Sequence, residues 1–317
     1  MTIRKYFTEF GLNMVSTFSA LLQQEHLDKF ESAGFDSTSP CHIYMVTRRP
    51  RVLLEPTTVV FEDDWVSGTF SVQKGMRFES HKFRVPNNLG TSKVTLECPY
   101  PHTEYLIHDD KDRVISSGKT ALLVSSFRTF SELLALEILY IGQSYGVEGS
   151  RRAPKRLKSH ATLQGIYSEA IRRSPDQEIW LVLWSFEPYL YIAFDPTHDT
   201  YGTTLSEDDD HIHKVIKNDF TEQQQINFTE AALIRYFEPE YNKLYKDSFP
   251  NPAHKTYSEC YELDINSVAV ELNSENIMCQ LWSPTILPDW THFIVYQLHS
   301  KEERKSMFNF FGDTDAI

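Results

Sequence analysis

Leu136-Glu137-Ile138-Leu139-Tyr140-Ile141-Gly142-Gln143-Ser144 decides how this chain is read. An apolar run interrupted by one charge and ended by a glycine-bearing segment has the texture of a sheet strand. Tyr140 closes the strand, and residues 142–149, with three glycines, open a loop behind it. An aromatic at such a place more often packs a core than takes part in chemistry. What Tyr140 does therefore depends on its neighbours.

Downstream, Ser150 or Ala153 would open a helix running to about Arg173, with Pro154 accommodated in its first turn. Its N-terminal half is basic: Arg151, Arg152, Lys155, Arg156 and Lys158 precede Arg172 and Arg173, and Glu169 is the one acid among them. Arg156 and His160, four apart, would share a helix face. There an arginine can grip a phosphate oxygen and a histidine can move a proton. A solvated helix face explains such a pair equally simply. Ile179 to Trp184 reads as a buried strand, with a second strand at Tyr189 to Phe194. Residues 195–222 are polar and acidic and read as an exposed excursion. A histidine metal site there (His198, His211, His213) is the weaker alternative to a solvated loop. Phe228 to Glu238 reads as a helix that Pro239 ends. Asn227-Phe228-Thr229-Glu230 looks like a capping box, which would give Glu230 a purely local role. Asn242 after that helix could be an ordinary turn residue.

Upstream, residues 12–33 show near-helical apolar spacing through Met14, Phe18, Leu21, Leu22 and Leu27, with Gly34 as a stop. From His42 to Ile115 short β-rich runs dominate, with a turn at residues 86–90. Ala121 to Val124 reads as a strand, and residues 259–296 return to strand-like text.

Taken together, Tyr140-Ile141-Gly142, the Arg156/His160 pair, and Glu230 followed by Pro239-Glu240-Tyr241-Asn242 resemble, in that order, the motifs of the GIY-YIG nuclease superfamily in its restriction-endonuclease-like branch. The likeness covers roughly Ala121 to Asn251. One motif is missing: no Gly-Ile-Tyr occurs, the strand at Ala121 to Val124 has no tyrosine, and Tyr105 would substitute only if the hairpin carries a long insertion.

The resemblance implies an α+β fold, a GIY-YIG-like small mixed sheet flanked by helices. It would occupy residues 116–252, between an N-terminal helix plus β-rich region (1–115) and a β-rich C-terminal extension (253–317). It implies a Mg²⁺-dependent (or Mn²⁺-dependent) endonuclease hydrolysing phosphodiester bonds, with restriction or antiviral (phage) defence as the setting the family suggests. Glu230 would hold the metal. Tyr140 or His160, with Tyr105 as a weaker candidate, would activate water, and Arg156 would neutralise growing phosphorane charge. Asn242 would support the site. Gly142 would let the phosphate approach, and Arg152 and Lys158 would position the backbone. The partner would be nucleic acid, DNA before RNA, with a homo-oligomer or protein partner also open. The alternative is a degenerate domain on the same scaffold that binds nucleic acid or protein without cleaving.

Bulk properties limit these readings. A net charge of −13 argues against a protein that coats nucleic acid over its whole surface and leaves room only for a confined basic groove. No 18-residue apolar run suggests a membrane span. The four scattered cysteines (Cys41, Cys98, Cys260, Cys279) fit reduced thiols in a cytoplasmic setting better than a zinc finger or disulfide scaffold.

Overall fold

The computed structural model describes residues 5–33, 39–145, 153–158, 160–194, 202–218, 220–244, 246, 249–250 and 258–299. In chain order its first elements are β1 (Thr8–Leu22), α1 (Leu27–Ser32) and β2 (Ile43–Pro50). Next come β3 (Val52–Leu54), β4 (Val60–Phe61), β5 (Trp65–Lys74), β6 (Arg77–Pro86), β7 (Thr95–Glu97), β8 (Glu104–His108), β9 (Val114–Lys119) and α2 (Thr120–Ser125). The central part is β10 (Leu136–Gln143), α3 (Ala153–Leu157), α4 (Ala161–Arg173), β11 (Gln177–Phe194), α5 (Leu205–Ile216) and α6 (Glu222–Phe237). It closes with α7 (Ser258–Glu262), β12 (Ser267–Asn273), β13 (Leu281–Ser283), β14 (Ile286–Asp289) and β15 (Thr291–Gln297).

The fold is α+β. In place of the expected small sheet, eight strands hydrogen-bond in the order β14-β13-β10-β2-β11-β1-β12-β15. This one sheet draws strands from residues 1–115, 116–252 and 253–317 alike. β10, β2, β11 and β1 are successively antiparallel, whereas β12 joins β1 and β13 joins β10 in parallel. α6 packs against β10 and β2 and also against β12 and β15. A helix that touches both halves of one sheet requires that sheet to curl around it. The sequence of α6 agrees, since residues 228–234 are buried without a break, the mark of a helix covered on every side. On the other face of the sheet α3 and α4 cover Tyr44, Val46, Leu139, Leu181 and Leu183. Each large apolar side chain buried in these layers contributes about 1.5–3 kcal/mol.

Residues 51–135 leave the sheet between the paired strands β2 and β10. They build a four-stranded sheet (β3-β5-β4, with β6 on β5) and a three-stranded one (β7-β8-β9). Arg49 ties this insertion to the main sheet. It is fully buried, stacks on Trp180 at 4.1 Å and donates through Nη1 to Ser125 Oγ of α2 at 3.1 Å.

Several expectations change. Residues 12–22 belong to a strand, and only Leu27–Ser32 is α-helical. The first half of β1 is buried on both faces, so it lacks the alternation that betrays a strand. Ala121 to Val124 is the middle of α2; four apolar residues cannot fix a period. The expected helix to Arg173 is two helices broken before His160. β11 is one strand of 18 residues, running through Pro188. Proline is tolerated there because β2 pairs only with Gln177–Trp184, leaving that side of Pro188 without a ladder partner. The acidic stretch around Asp208 is a helix, α5, opened by a Thr204/Glu207 capping box. His211 is buried in it, stacked on Tyr6 and bonded to Leu263 O, while His213 is exposed and pairs with Asp209; His198 lies outside the described residues. Strand-like text at residues 267–272 is β12, as expected.

Candidate active site

The strand paired with β10 carries a tyrosine of its own. β2, not residues 121–124, pairs with β10, and Tyr44 stands opposite Gly142. Gly142 gives it room: a Cβ there would lie 2.6 Å from the Tyr44 ring carbon Cζ and hydroxyl oxygen. The glycine thus lets a phenol lie across the strand.

The Tyr44 hydroxyl is the centre of a buried network. His160 Nε2 lies 3.1 Å from it, and Arg156 donates to it from Nε at 3.1 Å. His160 is the N-cap of α4, and its Nδ1 accepts the Leu163 amide at 3.2 Å. Acceptance at Nδ1 places the proton of the neutral ring on Nε2, so His160 also donates to Tyr44. With two donors on its oxygen, Tyr44 must aim its own proton elsewhere. Tyr140 lies beside it, with ring centres 6.2 Å apart. Arg156 and His160 therefore meet, but not by sharing a helix face. They sit in separate elements and converge on Tyr44.

Glu230 arrives from α6. That helix begins at Glu222, capped reciprocally by Thr221 and Gln224, so Glu230 lies mid-helix and is not a cap. Gln143 Nε2, at the end of β10, donates to Glu230 Oε2 at 2.7 Å and to Asn227 Oδ1 at 2.6 Å. Burial pushes the Glu230 carboxyl up to about 7, against the opposing pull of Gln143 and of the Arg156 charge. Burial raises Tyr140 as well, and the Glu230 charge adds to the rise, while the Arg156 charge and the Tyr44 hydroxyl oppose it. Tyr44 is raised first by burial and then by Tyr140. Tyr44, Tyr140, Arg156 and Glu230 thus act on one another electrostatically, in one neighbourhood beside Gly142.

Asn242 has a structural part. Its Oδ1 accepts the Ile141 amide at 2.9 Å and its Nδ2 donates to the Ile141 carbonyl at 2.8 Å, as a neighbouring strand would. Tyr241 N donates to Leu139 O at 3.0 Å. β13 pairs with β10 only at Leu136 and Glu137, so the segment after α6 takes over the rest of that edge. Lys158 points away, bridging Asp28 and Glu31 of α1 at 2.5 Å each. Arg152 lies outside the described residues. Tyr105 belongs to the insertion, on β8, and lines a cavity there.

Three members of the site escaped the sequence reading. Tyr44 lay in Cys41-His42-Ile43-Tyr44, a strand start whose partner could not be known until the insertion was seen. Gln143 carries no spacing signal, and only the fold brings it to Glu230; Asn227 lies one turn before Glu230 on α6, but the capping-box spacing gives it a different role.

Among the described residues no group of three or more His, Cys, Asp or Glu side chains is placed to hold a metal ion. One carboxylate, amide oxygens and water still suit a hard cation such as Mg²⁺, which binds through one or two carboxylates and keeps several waters. The raised Glu230 carboxyl fits that role, because a cation beside it would offset the cost of its buried charge. No helix among the described residues is long and apolar enough to cross a membrane, and none of the four cysteines is in a disulfide. No protein-family model, curated protein or solved structure matches this chain.

Proposed function

We propose that the Tyr44–Tyr140–Arg156–His160–Glu230 cluster hydrolyses phosphodiester bonds in nucleic acid with a divalent cation, as the resemblance to GIY-YIG nucleases implies. The observation that carries this reading is the Tyr44 hydroxyl, reached by both Arg156 and His160 and adjoining Tyr140, within the field of a buried carboxylate. Inert cores do not gather two phenols, a guanidinium, an imidazole and a carboxylate without a use for them.

A cation held at Glu230 would polarise a non-bridging phosphoryl oxygen and stabilise the leaving oxygen. The chain's own groups do the rest. Tyr140 is the more exposed phenol and adjoins Tyr44, so it is the member that, once its own proton has left to solvent, acts as a base toward water. Neutralising the Glu230 charge removes one of the two influences that raise Tyr140. Filling the carboxylate site therefore primes the base. Arg156, half-buried and already charged, faces the negative charge that grows on phosphorus. His160 fixes the orientation of Tyr44 and can pass it a proton. Gln143 and Asn227 hold the Glu230 carboxylate in one rotamer.

The binding-module alternative draws on the absence of a first-strand tyrosine and on the acidic balance of the chain; Tyr44 on the neighbouring strand bears on the first ground, and the net charge of −13 still supports the second. Incubation of supercoiled plasmid with Mg²⁺ and either wild type or Glu230→Gln separates the two. Nicking by wild type, lost in the variant, is the expected result. Equal nicking by both proteins removes Glu230 from the mechanism. Salt-dependent binding without nicking by either, on DNA and RNA alike, favours the module.

A further inference from the structure

The insertion, residues 51–135, encloses a cavity of about 460 Å³ to which the eight-stranded sheet contributes no side chain. One wall is the β5–β6 hairpin, through Val66, Phe83 and Val85. The facing wall is the three-stranded sheet, through Leu96, Tyr105 and Ile107, and the floor is Leu123 of α2 with Phe127 of the turn that follows it. Two small sheets and a helix thus stand around open space where close packing is the rule for protein interiors.

The walls are held apart by specific structure. Phe83 stacks on Phe127 with ring centres 5.2 Å apart, and Gly68 makes way for the Phe83 ring, since a Cβ there would come within 3.0 Å of it. The rim turn that carries Asn88 and Leu89 is pinned by Asn87. That side chain donates to Glu62 O at 2.7 Å and Thr91 O at 3.0 Å, and accepts the Leu89 amide at 3.0 Å. Such a cavity is formed before any ligand arrives.

Its chemistry narrows what it takes. No acidic or basic side chain lines it; the polar groups are the Tyr105 phenol, Asn88, Ser116 and Ser126. A charged ligand would lose its hydration there without gaining a counter-charge. The aromatic carbon of Phe61, Phe83, Tyr105 and Phe127 matches ring faces, and the few hydroxyls and one amide suit a single polar handle.

We propose that residues 51–135 carry a binding site for an uncharged, ring-bearing small molecule, seated between the β5–β6 hairpin and the three-stranded sheet. The site is separate from the Tyr44 cluster and does not depend on its activity.

The test uses the full chain and the neutral fluorescent probe N-phenyl-1-naphthylamine. Wild type binds it saturably with one probe per chain. Ser116→Phe and Val66→Phe, which fill the cavity from opposite walls, each weaken binding at least tenfold, whereas Leu287→Ser, on an exposed apolar residue of β14, leaves it unchanged. On wild type alone, 1-naphthol displaces the probe and 1-naphthoate at the same concentration does not. The proposal is overturned if wild type shows no saturable binding, or if filled variants that melt with wild-type cooperativity bind as before. Equal weakening by Leu287→Ser, or equal displacement by the naphthoate, overturns it too.

Discussion

Glu230 is a carboxylate inside an otherwise apolar stretch of helix, and its ionisation links the site to stability. Its folded pKa, about 7, lies above the ordinary value of 4.5. The folded state therefore holds the proton more tightly than the unfolded one. The Glu230 contribution to stability is therefore fully present below about pH 4.5, falls as pH rises through the window to about 7, and levels off above it. Glu230→Gln should abolish that slope and, without added metal at pH 8, stabilise the protein by roughly 2–3 kcal/mol in urea unfolding. Mg²⁺ should raise the melting temperature of wild type and not of this variant. Because proton and cation compete, the apparent Mg²⁺ affinity should drop about tenfold per unit below pH 7, read by thermal shift across a pH series. Tyr44→Phe removes the acceptor shared by Arg156 and His160 and should slow plasmid nicking by about 10²–10⁴-fold in single-turnover assays. A nicking rate within threefold of wild type would exclude the Tyr44 hydroxyl from the reaction.

At the level of elements, the edge of β10 is completed by one side chain. Asn242 satisfies both backbone groups of Ile141, so Asn242→Ala strands a buried N–H and C=O and should cost about 2–4 kcal/mol. Because Ile141 lies between Tyr140 and Gly142, activity should fall more than the loss of folded protein explains, a difference seen by comparing nicking rate with far-UV signal. Elements also show where the sequence was legible. Tyr140, Arg156, His160 and Glu230 were found because each has a local spacing and a chemical type. Their arrangement was hidden: a helix break at His160 and the early start of α6 at Thr221 depend on capping contacts that spacing alone does not reveal. β1 was misread because burial on both faces erases the period-two pattern. Tyr44 was missed because its partner strand lies beyond the whole insertion, a separation that no local window spans.

For the molecule as a whole, insertion and sheet share one hydrophobic cluster, in which Val52, Phe70 and Phe83 join Phe10, Trp180 and the α6 side chains. A shared core should unfold in a single transition, with near-UV and far-UV signals superimposing across a urea titration. Two separated transitions would show that the insertion is an independent unit. Arg49 tests the joint directly. Its Nε and Nη2 have no hydrogen-bond partner among the described residues, and burial lowers its pKa. Arg49→Met, which keeps the contact with Trp180, should be nearly neutral, while Arg49→Ala leaves a void and should cost about 3 kcal/mol or more in the same titration.

The distance along the chain between Tyr44 and Tyr140 has a consequence for biosynthesis. As the polypeptide leaves the ribosome, the first phenol emerges long before the second, and the carboxylate of α6 later still. β1 waits longest, since its parallel neighbour β12 begins only at Ser267. A nascent chain therefore has no assembled cluster, and whatever chemistry the cluster performs is withheld until α6 and β12 have been made.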